Sequence, residues 1–437
     1  MKKWVLCPVK CGVKLKMYYN FKISDKILNA SEKALAKSTD AFARIEKITE
    51  QNQIKVLSAF TEFGISESHF AGSTGYGYGD RGRETIDKLF AKCVGAEDSI
   101  IRHNFTCGTH TLAVALFGVL RPGDTMLSVT GTPYDTIHSV IGLTDEKGQG
   151  SLKDFGVNYM EVALNNEGRP DIPAIEKALK ENSIRMVYIQ RSRGYSLRPT
   201  LSIAEIKEII ELTRKCSNAM VMVDNCYGEF VETIEPGDVD CDLFAGSLIK
   251  NAGGGIARTG GYIAGKEEFV ELCAYRMTTP GLGREVGATL GQSRNLYMGL
   301  FNAPHVVGEA LKAAVFTASL FDEFGFGVTP GINESRHDII QAVKLEKEEN
   351  LIAFCQGLQK GAPIDSTAVP EPWDMPGYDS KVIMSAGAFI SGASIELSAD
   401  APLREPFAVW MQGGLNFHSA KMGIMLAAEE MNKRGLL

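Results

Sequence analysis

The chain is 437 residues long, which exceeds one ordinary hydrophobic core and predicts two or more subdomains, and its 44% hydrophobic content is ample to fill them. A formal net charge of -7, with acidic and basic residues interspersed and no long basic run, argues against nucleic acid as the main partner and for a small-molecule task. Nine cysteines, an odd number spread thinly, make no disulfide framework and point to a reducing, cytoplasmic setting.

At the amino terminus, the apolar run in "MKKWVLCPVKCGVKLK" is too short and too interrupted for a signal peptide, and no later segment reaches the length of a membrane span. Cys7 and Cys11 form a C-x3-C pair with no second Cys/His pair nearby to complete a zinc site. Residues 1–16 read as a mobile extension or an unused upstream start, with a helical lead-in from Met17. Between Ser31 and Phe63, apolar residues return at three- and four-residue steps, predicting one or two amphipathic helices with Ser31 as N-cap. The loop "STGYGYGDRGRE", Ser73 to Glu84, is too glycine-rich for regular structure, and its tyrosines and arginines suit ligand binding.

The chain then alternates. "SIIRHN" reads as a strand, "GTHTLAVALFGVL" as a helix and "TMLSVT" as a strand; later come the strand "IRMVYIQ", the helix "SIAEIKEIIELTRKC" capped by Ser202, and the strand "AMVMVDN". Apolar strands joined by helices predict a mainly parallel sheet covered on both faces. The helical stretch "GEALKAAVFTASLFDEFGF" leads out of that layer. The expected division is 1–84 for the extension, first helices and loop, 85–329 for the large domain, and 330–437 for a smaller one.

In open parallel sheets, ligands bind at the carboxyl ends of the strands. Three predicted strands end in unusual polar sequence, "HNFTCGTH" (103–110), "IQRSRGYS" (189–196) and "VDNCYGEF" (223–230), so these converge on one rim. Asp224, at the end of an apolar strand, needs a cationic partner. Lys250, in "FAGSLIKNAGGGIARTGGYIAG", follows closely enough for one further helix and strand to return it to the same rim. Spacing alone leaves an ion pair open beside a cofactor site. Ser247 adds a hydroxyl donor, Gly108 to Thr111 begin a helix whose N–H groups suit phosphate, and Tyr134 supplies an aromatic face. Each has a plainer alternative: capping for Thr109 and Thr111, core packing for Tyr134. Together they meet the needs of pyridoxal phosphate: a Schiff-base amine, a carboxylate for the pyridinium, an anion cradle and a stacking surface. Burial of Lys250 among apolar neighbours predicts a lowered pKa.

The segments "VDNCYGEFVE", "AGSLIKNAGGGIARTGGYIAG", "STGYGYGDRGRE", "FGVLRPGD" and "GASIELSADAPLREP" resemble the cystathionine beta-lyase or methionine gamma-lyase-like proteins labelled aluminium resistance proteins, from about residue 40 to the carboxyl end. The resemblance implies a fold-type-I pyridoxal phosphate enzyme of the aspartate aminotransferase superfamily. That fold combines a mainly parallel seven-stranded sheet domain with a smaller α+β domain, assembled as a homodimer or homotetramer with shared active sites. It implies Lys250 as the Schiff-base lysine, Asp224 at the pyridine nitrogen, Ser247, Gly108 and Thr109 at the phosphate, and Tyr134 on the ring. Tyr78 and Arg81 are the candidates to reach a neighbouring subunit's phosphate, with Arg83 as a rival, and Arg404 is the candidate for the substrate α-carboxylate, although an exposed ion pair would also suit it. Two departures stand out. Ile249 replaces a second hydroxyl before the lysine, and "QRSRGYS" replaces an Asn-Pro element, which would bring in Arg191 or Arg193.

The expected activity is carbon–sulfur lyase chemistry on a sulfur-containing amino acid by α,β- or α,γ-elimination. Aminotransferase or aldolase chemistry on the same cofactor is the alternative, and a non-catalytic cofactor-binding effector module a further one. The seven histidines lack metal-ligand spacing, so no metal is expected.

Overall fold

The structure is a computed structural model that describes residues 19–144, 148–375 and 380–437. The expectations for residues 1–16, Met17 and the Cys7/Cys11 pair lie outside the described residues.

Seven strands form the larger sheet: β1 (Asp98–Arg102), β2 (Thr125–Ser128), β3 (Asn158–Glu161), β4 (Met186–Gln190), β5 (Met220–Asp224), β6 (Leu243–Ser247) and β7 (Gly261–Gly265). Their order is β1-β7-β6-β5-β4-β2-β3, and β7 alone runs antiparallel to its neighbours. The central strands "MVYIQ" and "MVMVD" are buried at every position, as apolar strands covered on both faces must be. Their alternation divides two cores. Val187, Ile189, Val221 and Val223 pack with Ile175, Leu179 and Ile206 from the helices Ile172–Glu181 and Ile203–Cys216. Met186, Tyr188, Met220 and Met222 pack with Leu112, Leu116 and Val270 from the helices Gly108–Val119 and Glu267–Met277 on the opposite face. Ser202 caps its helix as expected, in a reciprocal capping box with Glu205.

The second sheet comprises β8 (Gly327–Thr329), β9 (Gln341–Lys344), β10 (Val382–Ser385), β11 (Ser398–Pro402) and β12 (Ala408–Gln412), in the order β10-β11-β12-β9-β8 with every pairing antiparallel. The helices Glu348–Gln359 and Phe417–Lys433 cover it. The connection into it is the helix Ser293–Glu323, which begins well before the predicted stretch because Gly299 and Pro304 interrupt its helical signature in sequence.

Two local expectations change. Ser31 does not cap a helix: the helix runs from Asp25 to Lys37 and Ser31 is buried in its interior, because Ile27, Ala30 and Ala34 extend the apolar stripe an extra turn toward the amino terminus and seat it in the core of the second sheet. Ser24 holds the N-cap position, and its N–H and hydroxyl both donate to Glu429, 2.9 and 2.7 Å away. Between β5 and β6 the expected helix is only a short 3-10 turn, Pro236–Val239, since the proline and glycine there support no longer helix.

Candidate active site

Because β4, β5 and β6 are parallel and β1 lies antiparallel to the reversed β7, the carboxyl ends of β1, β4, β5 and β6 share one rim. A cleft of about 500 Å³ opens there, and Tyr134, Asp224 and Lys250 all line it. Asp224 is the last residue of β5, and its Oδ1 accepts from the backbone N–H of Cys226 at 3.1 Å. Burial raises its carboxyl above the ordinary range, against the opposing pull of Lys250 and the Cys226 N–H.

Lys250 leaves β6 in a tight turn, its backbone N–H donating to the Ser247 carbonyl at 3.3 Å. Among the described residues no carboxylate stands within ion-pair distance of its amine. Instead Nζ lies 4.0 Å from the centroid of the Tyr227 ring. Tyr227 holds that ring in place from a left-handed backbone, φ 72°, a conformation costly for a bulky residue and typical of functional sites. The lowered lysine pKa is not found. Burial alone would depress it, but Cys226, Tyr227 and Asp224 close on the ammonium and hold its pKa above the ordinary lysine value. The neighbours that sequence made look apolar are, in three dimensions, acidic and phenolic groups from the β5–β6 connection.

Gly108 begins the helix after β1, where a Cβ would come 3.4 Å from Ser247 Cβ and 3.9 Å from Cys226 Sγ, so the helix start, Ser247 and the cleft wall adjoin. Thr109 Oγ1 is 2.8 Å from Thr136 Oγ1, while Thr111 Oγ1 donates to the Cys107 carbonyl, an intrahelical bond. Tyr134 meets Tyr195 edge-on, with ring centroids 5.7 Å apart, and its backbone N–H donates to Gln190. Arg404 is exposed on the β11–β12 turn and lines an adjoining cleft that shares Tyr134, Gln190, Gly194 and Tyr195 with the first. Tyr78 is 60% exposed and stacked on Tyr76, and Arg81 Nε donates to His69.

Arg83 cannot serve as the rival to Arg81. It is buried, and its guanidinium donates to the carbonyls of Gly77, Gly287 and Glu285. Arg191 is likewise unavailable: wholly buried, it donates to Asn225 Oδ1 and Glu232 Oε1, each at 2.7 Å, and braces the loop after Asp224 rather than facing the cleft. Arg193 donates to the Thr329 carbonyl at 3.1 Å and lines the cleft of Arg404. The glycines after Lys250 serve close packing within the chain. A Cβ at Gly253 would fall 1.7 Å from the Leu248 carbonyl, and one at Gly254, where φ is 54°, would fall 2.3 Å from the Gly299 carbonyl, so they admit the helix Ser293–Glu323 to close packing within the chain.

Sequence reading missed Tyr227, Tyr195, Asp400, Trp410 and Gln412, which also line the cleft. Tyr227 and Tyr195 lie in the quoted strand-end segments, where a tyrosine beside glycine was the available signal. Asp400 stands out as a lone acid in an otherwise small and apolar strand.

The set fits pyridoxal phosphate on chemical grounds. An amine with no carboxylate at ion-pair distance among the described residues and a buried carboxylate that Cys226 faces share one cleft walled by aromatic rings, and a helix start adjoins it.

The profile of a family described as Methionine gamma-lyase matches residues 27–432. The uncharacterized protein YnbB of Bacillus subtilis (strain 168) is 47% identical over 395 residues, covering 90% of this chain and 94% of its own. A structure described as a carbon-sulfur lyase involved in aluminum resistance, from Clostridium novyi NT, superposes with a TM-score of 0.92 at 49% identity, covering 98% of this chain and 100% of its own. The pyridoxal-5'-phosphate dependent protein YhfS of Escherichia coli superposes with a TM-score of 0.62 at 14% identity, covering 89% and 97%, and so shares the fold. The architecture is that of the fold-type-I enzymes. Among the described residues, no helix is long and apolar enough to cross a membrane.

Proposed function

The chain belongs to the methionine gamma-lyase family, and from that premise we propose that it is a carbon–sulfur lyase that eliminates a thiol from a sulfur-containing amino acid. The observation that carries this reading is the pairing, in one cleft, of a lysine amine and a buried aspartate delivered by adjacent parallel strands. The cofactor of the family is pyridoxal 5'-phosphate, which when bound supplies an electron sink for the pair left at the substrate α-carbon.

Lys250 would hold the cofactor through its amine and would act as the base for the substrate α-proton. Asp224, its carboxylate made more basic by burial, would hold the cofactor's ring nitrogen protonated. The Gly108 and Thr109 N–H groups and the Ser247 hydroxyl would hold the phosphate, with Tyr134 as the aromatic neighbour of the ring. Arg404 grips the substrate α-carboxylate from the turn between β11 and β12. Tyr78 and Arg81 reach a partner subunit's phosphate in a homodimer or homotetramer, in keeping with the exposure of the stacked Tyr76 and Tyr78. Overall, the carbon–sulfur bond breaks, one water is consumed, and the products are a thiol, a keto acid and ammonium.

A panel of cystathionine, methionine and cysteine, assayed for keto acid, free thiol and ammonium, tests the reaction; transfer of the amine to an added keto acid would replace this reading with an aminotransferase. Lys250→Ala should lose both visible cofactor absorbance and turnover. A chromophore still covalently bound in that variant would overturn the lysine's assignment.

A further inference from the structure

The wall of the cleft that comes from the second sheet carries groups with no part in the roles above. Asp400 on β11 lies opposite Trp410 on β12 in the ladder, and both line the cleft with Lys250. The Asp400 carboxyl is raised above its ordinary value by burial, while the Tyr195 side chain, Gln412 Nε2, which donates at 3.1 Å, and Lys250 favour its charged form. Trp410 is buried, its indole N–H donates to the Ser196 carbonyl at 3.3 Å, and its ring lies 5.5 Å from that of Tyr195 at 56°. The result is a fixed corner made of one carboxylate and two aromatic rings. No arginine lines this cleft among the described residues; Arg404 lines the adjoining one.

A carboxylate set beside aromatic faces attracts a cation, above all an alkylated one that has no N–H to satisfy, and it repels an acidic side chain. We infer that Asp400, Tyr195 and Trp410 select amino-acid substrates whose side chain carries an alkylated sulfonium centre. The inference rests on the elimination reading for its chemistry, and the two agree. When the carbon–sulfur bond of a sulfonium breaks, both electrons stay on sulfur; with one water, the products are a neutral thioether, a keto acid, ammonium and a proton. The corner therefore favours a substrate whose charge is lost as the product leaves.

The test has two arms. In the first, keto-acid release from S-methylmethionine and from methionine is measured with wild type, Asp400→Asn and Trp410→Phe holoenzymes. Wild type should favour the sulfonium in kcat/KM by roughly tenfold or more, and the preference should collapse toward parity in Asp400→Asn and shrink in Trp410→Phe. A merely structural Asp400 would lower both substrates together and leave the ratio unchanged, which would overturn the inference. In the second arm, tryptophan fluorescence of the protein is titrated with tetramethylammonium and, as the neutral counterpart, tert-butanol. A saturable response to tetramethylammonium alone, lost in Trp410→Phe and weakened in Asp400→Asn, is expected; equal responses to the two probes would count against the corner. If Asp400→Asn does not fold, Trp410→Phe carries the first arm and the wild-type comparison of the two probes carries the second. Equal turnover of both substrates by wild type sinks the sulfonium inference and leaves the lyase reading standing. A carboxylate-dependent tetramethylammonium response without keto acid from any amino acid does the reverse.

Discussion

Replacing Glu229 by glutamine should raise the melting temperature in mildly alkaline buffer and leave it nearly unchanged in acid. Glu229 is wholly buried within the β5–β6 connection, its Oε1 accepts from the Tyr262 hydroxyl at 2.8 Å, and among the described residues its Oε2 has no hydrogen-bond partner. Burial pushes its carboxyl up to about 8 from an ordinary 4.5, with the neighbouring Glu235 adding to the rise. The folded protein therefore keeps a proton that the unfolded chain releases above about 4.5, and stability declines as pH rises from there through about 8. At about 1.4 kcal/mol per pH unit, that interval is worth roughly 5 kcal/mol. Glutamine keeps the acceptor for Tyr262 and places an N–H where the protonated acid has its O–H, so the change is close to neutral in acid and gains nearly the whole interval in base. With an unfolding entropy of about 2.1 cal/mol/K per residue, 437 residues turn that gain into roughly 5 °C. Melting curves of both proteins at about pH 5 and about pH 9 make the comparison, because other titrations cancel between the two. An offset that is the same at both pH values would refute the protonated Glu229.

Gly246→Ala should destabilise by about 1–3 kcal/mol, because a Cβ there falls 2.5 Å from Glu229 Oε1 and 2.7 Å from the Tyr262 hydroxyl; an unchanged melting temperature would show that the buried pair can yield. Arg191→Met strands Glu232 and Glu235, which lie 2.7 and 3.9 Å from the guanidinium, and should cost about 3–5 kcal/mol in denaturant unfolding. Asp224→Asn should lower turnover roughly a hundredfold or more while the protein still takes up cofactor, and undiminished kcat would remove Asp224 from the mechanism. Arg404→Ala should raise KM far more than it lowers kcat; equal KM values would return Arg404 to the solvent.

The larger sheet was legible in sequence because "MVYIQ" and "MVMVD" are continuous apolar runs and the loops after them are not. Helix limits were less so. Ser31 looks like a cap until the preceding turn, Asp25 to Ala30, is seen to bury Ile27 and Ala30 in a core assembled largely from residues 313–431.

Asp224 and Lys250 could be paired from sequence because both follow strands of one parallel sheet, and such strands deliver their carboxyl ends to one rim whatever the loops do. Which arginines face the cleft could not be read that way. Arg191, Arg193 and Arg198 occupy eight residues of one loop, and packing alone sends Arg191 into the bracing of Asn225 and Arg198 to the carbonyls of Gln190 and Ser192. Asp400 and Trp410 reach the same cleft from a second sheet whose strands carry no local mark of that meeting. Local apolar pattern thus determined the layers and the rim on which chemistry would sit. The electrostatics around Lys250, with Tyr227 and Cys226 closing on an amine that looked apolar in sequence, were decided only by tertiary packing, since they depend on distances between side chains that periodicity does not encode.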